Sequence, residues 1–394
     1  MLVSKGRDKY PRVIARATVR DKLILTALKE VLHETLPSEV PRKLPNQVVR
    51  DLLASLQSNA GCRIVRADIK AFYDSIPHKK IMAMLKARLG DGLVNKLVHS
   101  AIVNPIVPVG YRRANRASYV TARGVPQGLP ISNFLAHLFL SKFDQKVDAS
   151  ISGYHRYVDD MIVLVSPGTE GTVRKSFEKR LAGLGLRLSK EKTRVFDFDE
   201  TFDFLGYEIT AGRAKPRVSS VERFIRSVAG LFSQLRSRRL PGRRVALTDW
   251  SDEELAKVFV EELNEKITGA VSQHKQYGWV FYFNESTDLS VFNRIDRIVS
   301  NMADSARLLS ESNRKAIKSL SRAFYESKYK KLGGYIVNYD AIENTEDKRR
   351  FLLRLRYLRQ DEAESANPDR IDSLYKEVVA QRLSRLDQDI GLIS

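Results

Sequence analysis

The sequence predicts an α+β fold in which a mixed region of helices and strands is followed by a region that is almost wholly helical. Short β-forming runs alternate with helical patterns over the first two hundred residues, and this alternation is lost beyond Lys215 and Pro216. The chain has 394 residues, of which 43% are hydrophobic, and this is enough for ordinary cores. These observations exclude a disordered tail, a collagen-like fibre and a disulfide-stapled mini-protein.

The charge balance of the chain indicates a polyanionic partner. Lys and Arg number 67 against 47 Asp and Glu, which leaves a formal net charge of +20, more than a solubilising surface requires. The single cysteine, Cys62, cannot form an internal disulfide or a multi-thiolate metal site, and we interpret it as a small core residue. Apolar stretches such as Met161 to Val165 are far shorter than the roughly 20 residues that span a bilayer. We therefore expect a soluble, cytoplasmic protein with no membrane partner.

Three local patterns define elements in the first part of the mixed region. Val19 to Leu36 carries apolar residues at helical spacing and is followed by Pro37, which predicts an amphipathic helix. Arg63 to Ile69 is a short β-like run. A second helix is predicted from Ser132, whose hydroxyl suits an N-cap, and it directly follows a Gly-Pro-rich loop.

A β-hairpin with acids at its tip is predicted next. Gly153 to Tyr157 and Met161 to Val165 are β-forming runs separated only by Val158, Asp159 and Asp160. Beyond Pro216 the helical patterns are separated by Pro-Gly, Gly-Gly and Asn-Pro breaks. These patterns cover residues 221–238, 253–273, 289–308, 314–330, 348–360 and 370–386.

The acids of the hairpin point to metal chemistry. Adjacent carboxylates such as Asp159 and Asp160 are unfavourable unless a cation joins them, and Mg²⁺ accepts carboxylate oxygens while leaving positions for water and substrate phosphates. A pair of acids in a turn is, by itself, more often a solvated turn. Asp68 at the end of the β-like run changes this interpretation, because two neighbouring β elements that each present a carboxylate can hold two metal ions about 3.5 to 4 Å apart. The pattern predicts nucleotidyl transfer, in which positioning and charge neutralisation supply most of the catalysis.

Five strings, in order and spacing, resemble the reverse transcriptases of bacteria and retroelements over roughly residues 10 to 210. The strings correspond to four palm motifs and the hydrophobic primer-grip motif. They are Asp68–Ile76, Gly124–Asn133, Tyr157–Asp160, Leu184–Leu186 with Ser189–Thr193, and Phe204–Tyr207. The resemblance implies a right-hand polymerase fold. Fingers and a palm with an antiparallel sheet would occupy residues 1–215, a helical thumb 216–309, and a C-terminal helical region 310–394.

The resemblance also implies roles for the acids and for one aromatic residue. Asp68, Asp159 and Asp160, with the backbone carbonyl of Ile69, would hold two Mg²⁺ ions, although the second acid of the hairpin often contributes less directly in this family. Tyr73 falls where the family places the aromatic that lies under the sugar of the incoming nucleotide. A ring there would collide with a ribose 2′-hydroxyl. The neighbouring Phe72 and Tyr73 could exchange the roles of core residue and sugar gate.

Four further residues match nucleotide-contacting positions of the family. Gln127 and Gly128 would lie in the loop that packs against the nascent base pair, where a missing Cβ permits close approach. Lys192 would assist the departure of pyrophosphate as an acid or a cation, with Lys190 as a competitor for this role. Arg12, in a segment similar to the fingers, would bind the triphosphate, because a guanidinium takes two phosphate oxygens at once.

The departures from related enzymes narrow the biological role. The chain lacks the Cys and His pattern of an intron-type endonuclease and the Val-Thr-Gly signature of retron enzymes. What remains is similar to abortive-infection and other defence-associated reverse transcriptases. This implies RNA-directed DNA synthesis in antiphage defence, with deoxynucleotides as substrates, DNA as product and a dedicated non-coding RNA as a candidate template. A homo-oligomer or a companion defence protein is left open.

Several alternatives remain open from the sequence. The chain could be a retron-type or group II intron-derived reverse transcriptase, an RNA-dependent RNA polymerase, or a non-catalytic RNA-binding protein with a polymerase-like palm. Three basic clusters favour nucleic-acid contacts over a merely solvated surface. They lie at Arg236–Arg244, Lys328–Lys331 and Lys348–Arg359. The aromatic group Tyr277–Phe283 could stack on bases, but so dense a group predicts core.

Overall fold

The computed structural model describes residues 2–3, 12–108, 110–148, 151, 153–240, 250–388 and 390. The chain divides into two compact units, residues 1–200 and 201–394. The predicted ranges of the fingers and palm, the thumb and the C-terminal region stay predictions. The side chain of Arg12, and Arg243 and Arg244 of the first basic cluster, lie outside the described residues.

The first unit alternates helices with short strands, as the sequence predicts. In chain order its elements are β1 Leu2–Val3, β2 Arg12–Val13, α1 Val19–Thr35, α2 Pro45–Ser58, β3 Arg63–Asp68, α3 Phe72–Ser75, α4 His78–Leu89, α5 Leu93–Val103, α6 Ser132–Asp148, β4 Tyr154–Tyr157, β5 Asp160–Val165, α7 Glu170–Leu184 and β6 Arg194–Phe196, with 3₁₀ helices at Pro37–Glu39 and Arg113–Tyr119.

The centre of the first unit is an antiparallel sheet in the order β4-β5-β3-β6. Val65 and Ala67 of β3 lie opposite Val163 and Met161 of β5, and these four residues belong to the buried core with α1 and α6. Because side chains alternate between the faces of a strand, Asp68 and Arg66 of β3 lie on the other face. The sheet thus separates an apolar core from a polar face at the end of β3.

The predicted elements of the first unit agree with the structure, with one change at the hairpin. Helix α1 begins after Thr18, whose hydroxyl accepts a hydrogen bond from the Asp21 amide at 3.1 Å, and α6 begins at Ser132. The hairpin turn, however, contains only two residues. Tyr157 pairs with Asp160, so Asp160 is the first residue of β5 rather than part of the tip.

The second unit is mainly helical and also contains two small sheets. In chain order its elements are β7 Phe202–Phe204, β8 Tyr207–Thr210, β9 Arg213–Pro216, α8 Val218–Arg236, α9 Asp252–Thr268, β10 Ala270–Ser272, β11 Lys275–Tyr277, α10 Trp279–Tyr282, α11 Ser290–Asp304, α12 Glu311–Lys315, α13 Leu320–Tyr329, β12 Val337–Asn338, α14 Thr345–Arg354, α15 Gln360–Ser365 and α16 Pro368–Gln388, with a 3₁₀ helix at Tyr339–Ala341.

Three helix predictions for the second unit are wrong in detail. The helix expected over 348–360 ends at Arg354, because Arg356 has φ +55°, and α15 begins only at Gln360. The helix expected to reach residue 273 ends at Thr268, because Gly269 has φ +65° and the Tyr277 carbonyl occupies the position that its Cβ would fill; the chain then enters β10. The helix expected over 314–330 is broken before α13. There the Asp296 carboxylate accepts hydrogen bonds from the backbone amides of Leu320 and Ser321, and this contact restarts the helix.

The remaining sequence predictions about burial are confirmed. Cys62 is buried and free, and the aromatic group is core, with Trp279 1% exposed and Phe283 fully buried. Trp279 stacks on Phe224 with ring centroids 4.8 Å apart. Within the described ranges, no helix is both long enough and apolar enough to span a membrane.

Candidate active site

The end of β3 and the tip of the β4–β5 hairpin bring the predicted acids together. Asp68 lies directly opposite Asp160 in the pairing of β3 with β5, and Asp159 occupies the turn between β4 and β5. The Asp68 side chain is largely buried, at 7% residue exposure. Three carboxylates therefore share one edge of the sheet.

The hairpin turn that contains Asp159 has a strained backbone, and side-chain hydrogen bonds to a neighbouring helix hold it in place. Val158 has φ +56°, a conformation that a β-branched residue rarely adopts. The Arg156 guanidinium donates a hydrogen bond to the Val158 carbonyl at 2.8 Å, and the Asp144 carboxylate of α6 accepts one from Arg156 Nε at 2.8 Å. Helix α6 therefore holds the turn in the conformation that places Asp159 beside Asp68.

Asp159 lies in a buried, acidic environment, and the charge of Lys192 offsets it only in part. Burial is the largest cause and the nearby charge of Asp68 the next, and together they raise the pKa of Asp159 to about 6. A carboxylate with such a pKa gains most from a cation placed between it and its neighbour. Asp68 and Asp159 are therefore a donor pair suited to a hard divalent cation.

Asp160 has a different partner. Its carboxylate accepts hydrogen bonds from Arg66 Nε at 3.1 Å and from Arg66 Nη2 at 3.0 Å. Burial raises the pKa of Asp160, and the Arg66 guanidinium opposes that rise. In the part of the chain that the structure describes, no group of three or more His, Cys, Asp or Glu side chains is arranged to hold a metal. The geometry thus distinguishes the Asp68 and Asp159 pair from Asp160, whose part as a metal ligand stays a prediction.

Lys192 is the cation that contacts the acid pair. Its ammonium lies 2.9 Å from Asp68 Oδ1 and 3.1 Å from Oδ2, whereas Lys190 makes no such contact. The segment that carries Lys192 is anchored to the end of β3, because the Ser189 amide donates to the Asp68 carbonyl at 2.7 Å and Ile69 bridges to Leu188. Of the two lysines that the sequence left as competitors, Lys192 is thus the one that contacts Asp68, and its part in the departure of pyrophosphate stays a prediction. Ile69 is buried, and its carbonyl as a metal ligand stays a prediction.

Phe72 and Tyr73 have different environments. Phe72 is 2% exposed and belongs to the core, whereas Tyr73 only packs against the core while partly exposed. The Tyr73 hydroxyl donates to Asn133 Oδ1 at 2.7 Å, and the Tyr73 carbonyl accepts from the Val125 amide at 2.8 Å. Tyr73 is therefore the ring of the two that can face a nucleotide.

Gly128 lacks space for a side chain, but for a reason that sequence reasoning did not supply. A Cβ at this position would lie 2.7 Å from Ile14 Cγ2 and 2.9 Å from the Ala15 carbonyl oxygen, and Gly128 has φ +100°. The Gln127 carbonyl accepts a hydrogen bond from the Ala15 amide at 2.8 Å. The segment after β2 thus packs closely against Gly128, and the loop that contains Gln127 and Gly128 holds this segment in place. Contact of the loop with a base pair stays a prediction.

The site contains four residues that sequence reasoning missed: Arg66, Asn133, Asp144 and Arg156. A signal existed for Arg66, because it precedes Asp68 by two positions in a strand and must share its face. Asp144 and Arg156 lie on different elements and meet only in the tertiary fold, so no local pattern reveals their ion pair.

Comparisons with known proteins agree with the motifs. Protein YkfC from Escherichia coli K12 is 23% identical over 261 residues, covering 54% of this chain and 66% of YkfC. A 91 kDa protein in a Schizosaccharomyces pombe cob intron is 31% identical over 143 residues, covering 35% of this chain and 17% of that protein. The group II intron-encoded protein LtrA from Lactococcus lactis is 26% identical over 153 residues, covering 37% of this chain and 24% of LtrA. The chain thus spans less than two thirds of each of these relatives.

Among solved structures, apo telomerase from Candida tropicalis matches 96% of this chain and 60% of that chain, with 13% identity and a TM-score of 0.40. A Candida albicans telomerase complex with a fragment of telomeric RNA matches 80% of this chain and 55% of that chain, with 15% identity and a TM-score of 0.39.

A family model described as reverse transcriptase (RNA-dependent DNA polymerase) matches residues 3–209, more than half of the chain. The match confirms the family that the motifs predicted and, with it, the right-hand polymerase fold class. The chain belongs to the reverse transcriptase family.

Proposed function

We propose that this protein is an RNA-directed DNA polymerase that adds deoxynucleotides to a primer 3′-hydroxyl. The observation that carries the proposal is the coupled pair of Asp68 and Asp159 at one edge of the sheet, in a chain that belongs to the reverse transcriptase family. A protein that only binds RNA would not benefit from buried carboxylates beside a polyanion. We also propose a cytoplasmic site of action, where RNA and deoxynucleotides are both present.

In the proposed mechanism Asp68 and Asp159, together with the Ile69 carbonyl and with Asp160 in a less direct part, would hold two Mg²⁺ ions. Bound Mg²⁺ supplies charge neutralisation at the reacting phosphate and lowers the pKa of the primer hydroxyl. The Lys192 ammonium beside Asp68 is a cation, and a proton donor, for the leaving pyrophosphate. The Tyr73 ring would exclude a ribose 2′-hydroxyl from the nucleotide site, Gln127 and Gly128 would contact the nascent base pair, and Arg12 would bind the triphosphate.

Primer extension tests the proposal directly. The wild-type protein with Mg²⁺, a primed RNA template and labelled deoxynucleotides should extend the primer, and the Asp159→Ala, Asp160→Ala double variant should not. Asp91→Asn is a matched control, because Asp91 is an exposed acid of the same unit, paired with Lys86. Extension by the double variant at the wild-type rate would remove the catalytic assignment of these acids. A wild-type protein that binds RNA but does not extend the primer would favour a non-catalytic RNA-binding protein.

Sugar selection is a separate consequence of the Tyr73 environment. Tyr73→Ala should increase the ratio of ribonucleotide to deoxynucleotide incorporation, whereas Tyr73→Phe retains the ring and should preserve discrimination. An unchanged ratio in Tyr73→Ala would assign the gate to another group. Wild-type incorporation of ribonucleotides in preference to deoxynucleotides would instead favour an RNA polymerase.

The basic clusters of the second unit differ in how available they are to RNA. Most of the cluster at 348–359 is neutralised within its own unit: Lys348 pairs with Asp372 at 2.6 Å and Arg354 with Glu261 at 3.2 Å. Lys330 and Lys331, in contrast, are exposed and follow Tyr329, which is 69% exposed. We therefore place RNA contacts at 328–331. Replacing Lys330 and Lys331 by Gln should reduce the salt slope of RNA binding by roughly 1 to 2, and an unchanged slope would contradict this placement.

The resemblance to defence-associated reverse transcriptases supports a role in antiphage defence with a non-coding RNA as template. Cells that express the wild-type protein with its neighbouring genes should resist phage in plating assays, and cells with Asp159→Ala should not. Sequencing the RNA that co-purifies with the protein identifies the template. Equal plating on both strains would argue for a retron-type or intron-derived role instead.

A further inference from the structure

A pocket of about 470 Å³ in the first unit has three basic side chains on its wall: Lys70, Arg123 and Arg187. We call it the cationic pocket. Its remaining lining comes from small or apolar residues of α3 and α7 and of the turn after α7, and no Asp or Glu contributes. None of the three basic side chains forms an ion pair in the described part of the chain. The pocket is therefore positive and uncompensated.

The backbone register places two of these cations directly opposite each other. Ile69 bridges to Leu188 in antiparallel fashion, and the Lys70 amide donates to the Arg187 carbonyl at 2.9 Å, so Lys70 and Arg187 form a cross-strand pair. Like charges that are directly opposite destabilise a sheet. An anion between them converts this unfavourable pair into a binding site, as a cation does for Asp68 and Asp159.

Arg123 is held near this pair by contacts with the turn after α7. Its Nη1 donates to the Gly185 carbonyl at 3.4 Å, and Arg123 bridges to Pro77. Lys80 Nζ donates to the Gly183 carbonyl at 2.6 Å, which ties the end of α7 to α4. These contacts hold Arg123 and the end of α7 in place on the pocket wall.

The cationic pocket lies next to the acid pair. Lys70 follows Asp68 by two residues, roughly 7 Å along an extended chain. Arg187 precedes Lys192 in the segment that pairs with the end of β3, and Lys192 contacts Asp68. The end of β3 and the segment after α7 are hydrogen-bonded to each other. These two segments carry both the cationic residues and Asp68, and they therefore set the distance between the pocket and the carboxylate.

We propose that the cationic pocket binds inorganic pyrophosphate, the leaving group of the reaction, and this rests on the proposed polymerase function. In that reaction the primer 3′-hydroxyl gives its proton to solvent water and its oxygen bonds to the α-phosphorus, and the bond from that phosphorus to the bridging oxygen breaks. The released pyrophosphate carries the β- and γ-phosphates and the electron pair of the broken bond. Two guanidinium groups and an ammonium match its charge, because each guanidinium can take two phosphate oxygens.

Product inhibition tests the pocket. Pyrophosphate is added to primer extension reactions at constant free Mg²⁺, and its inhibition constant is measured for the wild type, Arg123→Gln, Arg187→Gln and the matched control Lys175→Gln. Lys175 is an exposed residue of α7 in the same unit and outside the pocket. Each arginine variant should raise the inhibition constant about tenfold, and the control should leave it unchanged.

A direct binding measurement tests the pocket independently of the proposed polymerase activity. Calorimetric titration with inorganic pyrophosphate should show binding to the wild type and about tenfold weaker binding to Arg187→Gln, whether or not the protein extends primers. Unchanged inhibition and binding constants in both arginine variants would overturn the proposal. So would an increase confined to the KM for deoxynucleotides, which would place the cations on the substrate rather than on the leaving group.

Discussion

Two sites, one in each unit of this protein, bury charge in opposite ways. In the first unit, the paired acids Asp68 and Asp159 share a partly buried site where the nearest cation, Lys192, has a side chain that is 61% exposed. In the second unit, Arg382 is 3% exposed and contacts the carboxylates of Glu262 and Glu265. One site is left with an excess of charge, whereas the other is matched.

The matched site is a closed network between three elements. Arg382 of α16 lies 2.6 Å from Glu265 Oε2 of α9 and donates from Nε to the Tyr339 hydroxyl at 2.8 Å. Burial alone would lower the pKa of Arg382, but the charges of Glu265 and Glu262 outweigh it and raise that pKa. The difference indicates two uses of buried charge. Charged side chains that all have oppositely charged partners stabilise the fold, whereas carboxylates with too few cationic partners form a site that can bind a cation.

Breaking the matched site should have the largest effect on stability. Arg382→Met leaves Glu265 buried without a guanidinium and Glu262 with only that of Arg385, and it should lower the free energy of unfolding of the second unit by about 3 to 5 kcal/mol. The two tryptophans of the chain, Trp250 and Trp279, both lie in this unit. Urea titration followed by tryptophan fluorescence therefore reports on it selectively.

Lys376→Met provides the control for this change on the same helix. Lys376 is 75% exposed and pairs with Asp372, so its loss should change the free energy of unfolding by less than about 0.5 kcal/mol. Equal stability of the Arg382 and Lys376 variants would show that the network does not maintain the fold.

The sequence predicted the parts of the site that lie within short strings. The turn acids, Lys192 and Tyr73 each belong to a motif of a few residues, and local patterning also places β3 and the hairpin. The partner of Asp160 was not predictable in this way, because Arg66 reaches it across the register of two strands that are far apart in sequence.

The second unit was predicted less well because its strands are short and their partners distant. Ala270 pairs with Tyr277 and, in parallel, with Val337, so β10 is stabilised by contacts that no window of neighbouring residues contains. A three-residue strand after a helix reads as continued helix in the sequence. Likewise, Gly128 has a motif-level explanation, but its close contact with Ile14 is visible only in the fold.

His155, a partly buried histidine of the first unit, makes the stability of the protein depend on pH. Burial lowers the pKa of His155 to about 4, with Asp51 opposing and Lys43 reinforcing the shift, and its ring lies 3.0 Å from Ser55 Oγ. Between about pH 6.5 and 4 the unfolded chain binds a proton that the folded chain refuses, so stability is full above pH 6.5 and falls by about 3 kcal/mol as the pH approaches 4. His155→Gln should remove this loss from the first unit.

The measurement is the difference between wild type and His155→Gln in urea unfolding at pH 7 and pH 4.5, followed by far-UV circular dichroism. Other groups titrate in both proteins and cancel in this difference. If both proteins lose the same free energy of unfolding, His155 is charged in the fold at pH 4.5.

Removing charge from the unmatched site should have the opposite effect to removing it from the matched one. With the pKa of Asp159 raised to about 6, its ionised form at pH 7 costs folding energy, and Asp159→Asn should raise the free energy of unfolding by about 1 to 3 kcal/mol in metal-free buffer while abolishing primer extension. Calorimetry of unfolding without Mg²⁺ measures the gain. A loss of stability in this variant, with Asp91→Asn unchanged, would mean that Asp159 is held by partners as Arg382 is.

The loosely held cation should have the smallest effect, confined to catalysis. Lys192 contacts Asp68 with a largely exposed side chain, so Lys192→Ala should leave unfolding unchanged, because exposed ion pairs contribute little to stability. Its ammonium is placed to stabilise the leaving group, and its loss should lower kcat for nucleotide addition about tenfold, equivalent to about 1.4 kcal/mol in the barrier. Lys190→Ala should keep kcat within about twofold of the wild type, because Lys190 does not contact Asp68. Equal rates for the two variants, measured by single-nucleotide addition, would mean that Lys192 only neutralises Asp68 in the metal-free protein and takes no part in the reaction.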